Sequence, residues 1–376
     1  MTPDEFFESQ RPNSAIKSAI VAKYFAAWSN VMGANSRNWA NYEKVLYLDL
    51  LSGAGQYDDG TLSTPGEIIS IAAEHDFLRE KLQIVFNDVD EEVVARLRQT
   101  IEDHPKTGLL KNTPHVMNFD VNDVNPGLIK RSEIYPTFSF IDPFGYKALP
   151  RKVISSLLKG KGNDLVFFFN YSDVNRAVSN PVMEGNMRDL FGAEPLKALQ
   201  SVLKDKTPEE RKPLIVSSFI KAISSRTNSF ALPFGFTMSG TSRESHYLVF
   251  MSKSFRGWEI MRDVMIKESN RPGHQLFHLG YSDMNEAQAS MFDYLMPAES
   301  LPQRILDKYA GTRITRDQLY ETDCIGTVFQ RKHYNNALYE LEKNGQLTII
   351  QSKPKRRRGT YKDVVFKITS KDDFNG

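Results

Sequence analysis

Apolar positions recur along this chain in two rhythms. In "SAIKSAIVAKYFAAWSNVMG" (14–33), Ile16, Ile20, Tyr24 and Trp28 lie four apart, on one face of a helix. Short unbroken apolar runs follow: "KVLYLDLL" (44–51), "LQIVFND" (82–88), "PHVMNFDV" (114–121), "PTFSFIDPFG" (136–145) and "DLVFFFNY" (164–171). Runs of this kind suit strands covered on both faces. Between them, "PGEIISIAAEHDFLREK" (65–81), "DEEVVARLRQTIEDH" (90–104) and "LPRKVISSLLKGK" (149–161) have helical spacing. Strands alternating with helices predict an α/β fold with a Rossmann-like, doubly wound, mostly parallel sheet.

The rhythm changes after the fifth strand. Residues 172–228 predict a helical insertion, with "PLIVSSFIKAISSRT" (213–227) its clearest helix. "FALPFGFTM" (230–238) and "SHYLVFMSK" (245–253) predict an antiparallel pair, and "GWEIMRDVMIKES" (257–269) a further helix. Residues 270–298 show no clear pattern. The α/β domain is therefore placed at 1–298.

A separate unit is expected over 299–376. "LPQRILDKYAG" (301–311) reads as a helix ending at glycine. "ITRDQLYETD" (314–323) carries Thr315 and Gln318 at capping-box spacing. A longer helix, "TVFQRKHYNNALYELEKNG" (327–345), precedes a strand, a basic turn and a strand in "QLTIIQSKPKRRRGTYKDVVFKIT" (346–369). Three helices and a β-hairpin describe a winged helix.

Composition narrows the class. The chain has 376 residues, 40% hydrophobic and 25% charged, with no apolar run of the roughly 18 residues that a membrane span needs. The acidic, polar start lacks the features of a signal peptide, so a cytoplasmic protein is expected. The single cysteine, Cys324, excludes an intrachain disulfide and a cysteine metal cluster. Net charge is +2, but residues 301–376 hold 15 Lys/Arg against 9 Asp/Glu, and the remainder 33 against 37. A basic tail on a mildly acidic body points to nucleic acid. A solvated basic face is the competing explanation.

In a doubly wound sheet, ligands bind beyond the carboxyl ends of the strands. The first strand runs into Asp49, Ser52, Gly53 and Gly55. The D-x-x-x-G-x-G spacing matches neither a nicotinamide fingerprint nor a P-loop. It fits the first motif of Rossmann-like S-adenosylmethionine (SAM) enzymes. Asp88 ends the second strand, where an acid can accept from both ribose hydroxyls. Asp90 is instead expected to cap the next helix. Asp120, after the third strand, is a candidate for the adenine amino group or a solvated turn residue. Asp142, Pro143 and Phe144 after the fourth strand resemble the [DNS]-P-P-[YF] motif of amino-group methyltransferases, with Phe144 replacing the second proline. Asn170, after the fifth, either lines a substrate pocket or caps a helix. Carbon-5 cytosine methylation is excluded because no cysteine lies near this point. His274 and His278 stand at i, i+4 spacing without a third ligand, so no metal is expected.

Together these residues resemble the three-Cys-motif partner (TcmP) family of class I SAM-dependent methyltransferase-like proteins. "DLLSGAG" is similar to its D-L-F-A-G-P-G, with Leu51 and Ser52 in place of Phe and Ala. "LSTPGEII", "IDPFG" and "SHYLVFMSKSFRGWEIM" match further family segments. The resemblance spans about residues 14–369. It implies a class I methyltransferase-like fold, SAM as cofactor, a basic winged-helix tail and a three-Cys-motif protein as partner.

Two functions follow as expectations. One is a SAM-dependent methyltransferase acting on DNA or RNA. Asp49, Ser52, Gly53, Gly55, Asp88 and Asp120 then hold SAM, and Asp142, Pro143, Phe144 and Asn170 meet the acceptor. The other is a nucleic-acid-binding accessory protein that only binds or senses SAM. In both, Arg331, Lys332, Lys353, Lys355, Arg356, Arg357 and Arg358 are the candidate nucleic-acid contacts.

Overall fold

The computed structural model describes residues 12–35, 43–121, 126–143, 150–237, 244–269, 279–281, 300–325, 327, 329–351 and 357–369. The chain divides into two compact units, residues 1–270 with 280–286, and residues 271–279 with 287–376.

The first unit opens with helix α1 (Pro12–Asn35). Ile20, Tyr24 and Trp28 of the expected face are buried, and so are Val21 and Phe25 beside them. These rings pack on the sheet: Phe25 meets Phe138 at 5.9 Å and Tyr24 meets Phe250 at 4.7 Å between centroids. Offset and edge-on aromatic pairs add to what area burial alone provides.

The strands are β1 (Val45–Asp49), β2 (Leu82–Asp88), β3 (His115–Asn118), β4 (Thr137–Ile141), β5 (Asp164–Phe169), β6 (Phe230–Thr237), β7 (Glu244–Ser252) and β8 (Leu279–Tyr281). They form one sheet in the order β3-β2-β1-β4-β5-β7-β6-β8. β1 to β5 are parallel, and β7 runs antiparallel between β5 and β6. Six strands in this order around one reversed strand make the class I methyltransferase arrangement. The strand order reverses between β1 and β4, so their carboxyl ends bound the ligand crevice.

Helices α2 (Thr64–Glu74) and α3 (Asp76–Lys81) follow β1. The expected single helix over 65–81 is broken at His75, which is extended at φ −109° and ψ 111°. Ile69, Ala72 and Ala73 are buried and so is Leu78, while Asp76 is exposed. A continuous helix would turn Asp76 inward and Leu78 outward, so the break restores burial. Helix α4 (Glu91–Asp103) follows β2, α5 (Pro126–Ile134) follows β3, and α6 (Arg151–Leu157) precedes β5. The insertion contains α7 (Tyr171–Ala177), α8 (Glu184–Phe191), α9 (Ala193–Leu203) and α10 (Pro208–Thr227). α10 starts at Pro208, ahead of the expected 213, because Thr207 and Glu210 form a complete capping box. Helix α11 (Phe255–Glu268) follows β7.

The second unit holds α12 (Leu301–Tyr309), β9 (Arg313–Thr315), α13 (Arg316–Asp323), α14 (Arg331–Lys343), β10 (Leu347–Gln351) and β11 (Val365–Ile368). Its sheet runs β10-β11-β9, adding a third strand to the expected hairpin. Thr315 and Gln318 form the anticipated capping box. Asp323 is buried and accepts from Arg304 at 3.0 Å, Lys308 at 2.8 Å and Tyr334 at 2.8 Å. Burial alone would raise its carboxyl; these hydrogen bonds outweigh it and hold the group below its ordinary value.

Candidate active site

β1 ends in Asp49, which is fully buried behind the loop that follows it. Its Oδ1 accepts from the Leu51 N–H at 3.4 Å, and its Oδ2 has no hydrogen-bond partner among the described residues. Burial pushes this carboxyl well above its usual range; the Leu51 N–H and Lys17 oppose the shift, while Asp142 and Asp88 add to it. The Tyr47 hydroxyl is buried beside it, outside strict hydrogen-bond geometry but close enough to act on the carboxyl. Burial, then the Asp49 charge, raise that phenol as well.

The following loop is pinned to the ends of β2 and β3. Ser52 donates to the Asn87 carbonyl from its N–H at 2.9 Å and from its hydroxyl at 3.0 Å. The Gly53 N–H donates to Asp88 Oδ2 at 3.1 Å, and the Asp90 N–H to Asp88 Oδ1 at 3.2 Å. Asp90 caps α4 by accepting from Glu92 and Val93. Asn87 donates to the Leu50 and Phe119 carbonyls at 2.9 and 3.1 Å and accepts the Phe119 N–H. Sequence reasoning passed over Asn87. A polar residue inside the run "LQIVFND" is its only local signal.

The two glycines do different work. Gly53 has φ +67°, and a Cβ there would meet nothing within 4 Å. Its backbone therefore faces open space. Gly55 has φ +82°, and a Cβ there would stand 2.9 Å from Leu97 of α4. It is a packing glycine that lets the loop lie on that helix.

The crevice pocket is lined by Lys17, Ser52, Gly53, Tyr57, Thr64 and Asp142, among others. Asp49, Gly55, Asp88 and Asp120 are not in its lining. Both Asp88 oxygens already accept backbone N–H groups, and Asp120 lies half-buried past β3. Each carboxylate oxygen keeps a lone pair for a further donor.

On the β4 side, Asp142 pairs with Lys17 of α1. Pro143 follows it; Phe144 lies outside the described residues. Lys17 also stands 4.7 Å above the ring of Phe168 on β5. The His246 ring of β7 stacks on the same phenyl at 5.0 Å and 8°. Its Nδ1 meets the Ser245 hydroxyl at 2.8 Å. Burial lowers the His246 pKa, Lys17 adds to that, and Asp142 and Asp173 oppose it. Lys17, Phe168 and His246 were not singled out from the sequence. They converge from three distant elements and belong to no local motif.

Asn170 takes the cap role. Its Oδ1 accepts the Asp173 N–H at 3.0 Å and its amide donates to Asp173 Oδ2 at 2.8 Å, which is the helix-cap alternative expected for it.

In the winged-helix unit, Ala337, Leu338 and Leu341 of α14 are buried and Lys332 and Tyr339 are exposed. Arg331 is engaged internally: it pairs with Asp317 and lies over the Tyr320 ring at 4.4 Å. Arg357 and Arg358 are exposed, and Arg358 donates to the Glu342 carbonyl at 3.2 Å. Lys353, Lys355, Arg356, His274 and His278 lie outside the described residues. Among the described residues, no cluster of potential metal ligands occurs and no helix is long and apolar enough to cross a membrane.

Comparison with known proteins adds the following. Residues 280–354 match the family described as the GMT-like wHTH domain. No curated protein matches the chain. Among solved structures, the DszA carbon methyltransferase is similar at 14% identity, over 59% of this chain and 51% of that one, with a TM-score of 0.34. The methyltransferase domain of bacterial CtHen1 is similar at 11% identity, over 62% and 98%, with a TM-score of 0.31. A predicted O-methyltransferase from Agrobacterium tumefaciens is similar at 12% identity, over 70% and 90%, with a TM-score of 0.32. This chain thus spans about half the length of the DszA enzyme.

Proposed function

We propose that the protein is a SAM-dependent methyltransferase acting on nucleic acid, which its winged-helix unit binds. The observation that carries the reading is the buried Asp49 oxygen without a partner, beside the open backbone of Gly53 and at the reversal of strand order. A cationic ligand offers Asp49 what the protein does not, so the residues fit the cofactor. In this reading Asp49 takes the amino-acid end of SAM, and Ser52, Gly53 and Gly55 shape the loop against it. Asp88 accepts from the ribose, and Asp120 lies on the adenine side. The cofactor supplies an electrophilic methyl group on a sulfonium. Asp142 and Pro143 edge the place where the acceptor is aligned with it.

Lys332, Arg357 and Arg358 neutralise phosphates, and Lys353, Lys355 and Arg356, which lie outside the described residues, are proposed for the same role. The resemblance to three-Cys-motif partner proteins adds a protein partner to the proposal, and the polar start of the chain with its single cysteine a cytoplasmic setting. Affinity capture with a three-Cys-motif protein tests the partner. Calorimetry with SAM tests the cofactor site: the intact protein binds SAM, and Asp49→Asn weakens it by about tenfold or more, as loss of a charged hydrogen bond does. An intact protein that takes up no SAM sinks the assignment.

A further inference from the structure

We infer that the acceptor is a hydroxyl oxygen, with Lys17 and His246 as the groups that handle its charge and its proton. The inference rests on the methyltransferase reading above and deepens it. An amine acceptor needs the Asp142 carboxylate as a hydrogen-bond acceptor. Here the Oδ2 of that carboxylate is paired with the Lys17 ammonium, itself nearly buried and seated over Phe168, so its negative charge is already balanced although it can still accept a hydrogen bond. Methylating an amine also builds positive charge on its nitrogen, beside a fixed cation that opposes it. Methylating a hydroxyl makes the opposite demand. Its oxygen gains negative character as the proton leaves, and an ammonium beside it stabilises that charge.

The proton needs a base that is neutral at the working pH. His246 shares the Phe168 ring with Lys17, both within 5.0 Å of its centre. Its Nδ1 is held by Ser245, and its Nε2 has no hydrogen-bond partner among the described residues. The charged groups around it are Asp142 from the end of β4, Lys17 from α1 and Asp173 from α7, and the imidazole is kept below its ordinary pKa. It is therefore largely deprotonated at pH 7 and able to accept. In the step, the bond from sulfur to the methyl carbon breaks and a bond from that carbon to the acceptor oxygen forms. The sulfonium leaves as a neutral thioether, and the hydroxyl proton passes to His246 Nε2 and then to water. Within a nucleic-acid chain, the 2′-hydroxyl of ribose is the internal group of this class, so the substrate is RNA.

The intact protein is incubated with methyl-labelled SAM and either total cellular RNA or total cellular DNA. The RNA is then hydrolysed in alkali. A 2′-O-methyl group blocks cleavage, so the label is expected in alkali-stable dinucleotides. Label in mononucleotides or in DNA overturns the hydroxyl assignment and leaves the methyltransferase reading standing. SAM bound in calorimetry with no label transferred overturns both. A readout independent of cofactor is the NMR titration of the His246 ring in the protein alone. Its midpoint lies below that of an ordinary histidine and rises in Lys17→Met; an unchanged midpoint overturns the pairing. His246→Gln lowers kcat by about 10²-fold or more at unchanged SAM affinity and removes the acidic limb of the pH profile. A variant that keeps that limb overturns His246 as the base.

Discussion

Gly53 and Gly55 look interchangeable in the sequence but differ in structure, and alanine at each separates the two roles. Both have positive φ, +67° and +82°. A left-handed backbone costs an L-residue about 1–2 kcal/mol. At Gly53 that is the whole expected cost, because an added Cβ meets nothing within 4 Å. At Gly55 the Cβ stands 2.9 Å from Leu97 and 3.0 Å from Thr100. Leu97 is fully buried, and Thr100 is held by its hydrogen bond to the Ala54 carbonyl at 2.9 Å, so neither retreats easily. Overpacking of this kind adds about 1–3 kcal/mol. Gly55→Ala is therefore expected to lose about 2–5 kcal/mol and Gly53→Ala about 1–2 kcal/mol. At about 2–4 °C per kcal/mol for a domain of roughly this size, thermal unfolding followed by circular dichroism resolves the difference. SAM affinity should fall further in Gly53→Ala than stability does, since the new methyl projects into the open side of the loop. Equal melting temperatures for the two variants would refute the separation.

Three further outcomes follow from the buried and paired charges. Burial raises the Asp164 carboxyl to about 6, against hydrogen bonds from Ser252 and Tyr24 that lower it. The folded state therefore keeps a proton that the unfolded chain has lost, so this group makes stability fall as pH rises from about 4 to 6, by on the order of 3 kcal/mol. Asp164→Asn should remove that slope in urea titrations at several pH values; an unchanged slope counts against the assignment. Asp323→Ala is expected to cost about 3 kcal/mol or more by leaving Arg304, Lys308 and Tyr334 without their shared acceptor. The wild-type contribution is present at neutral pH and fades as pH drops below the usual carboxylate range, because the folded value is depressed. In salt titrations of RNA binding, Lys332→Ala should lower the slope by about 1. Arg331→Ala should instead lower stability, because its guanidinium is already used by Asp317 and Tyr320; the reverse pattern would reassign the two residues.

The strand framework was readable because buried parallel strands are locally distinctive. β2 matches its apolar run residue for residue, and β1, β4 and β5 fall within theirs. β9 escaped because three residues, Arg313–Thr315, carry too little pattern to distinguish a strand from a helix start. The site was legible in halves. Asp49, Ser52, Gly53 and Asp88 lie on one side of the crevice, where a short motif places each residue relative to its own strand end. The acceptor side needs Lys17, Asp142, Phe168 and His246 together, from α1, β4, β5 and β7. No spacing along the chain encodes that meeting, since it depends on how α1 crosses the sheet. Asn170 shows the same limit, because its polar atoms were satisfied by Asp173, three residues away, and no substrate was needed to explain it.

The crevice holds three carboxylates that act on one another, Asp49, Asp88 and Asp142, and one cation among them, Lys17, which is given to Asp142. Asp49 is thus left without a paired cation among the described residues. Asp49 bears the consequence: its carboxyl is raised by burial and further by its two acidic neighbours. A ligand carrying positive charge relieves this and favours the ionised carboxylate, so binding should release protons from Asp49. SAM has a charged sulfonium that S-adenosylhomocysteine lacks, and the two differ chiefly in that charge and its methyl. Both nevertheless carry the amino-acid ammonium that Asp49 is placed to take, so calorimetry of either ligand in two buffers of different ionisation enthalpy should show proton release above the usual carboxylate range, absent in Asp49→Asn. Proton uptake on SAM binding, or release unchanged in Asp49→Asn, would place the cationic ligand elsewhere and leave the buried Asp49 oxygen without its explanation.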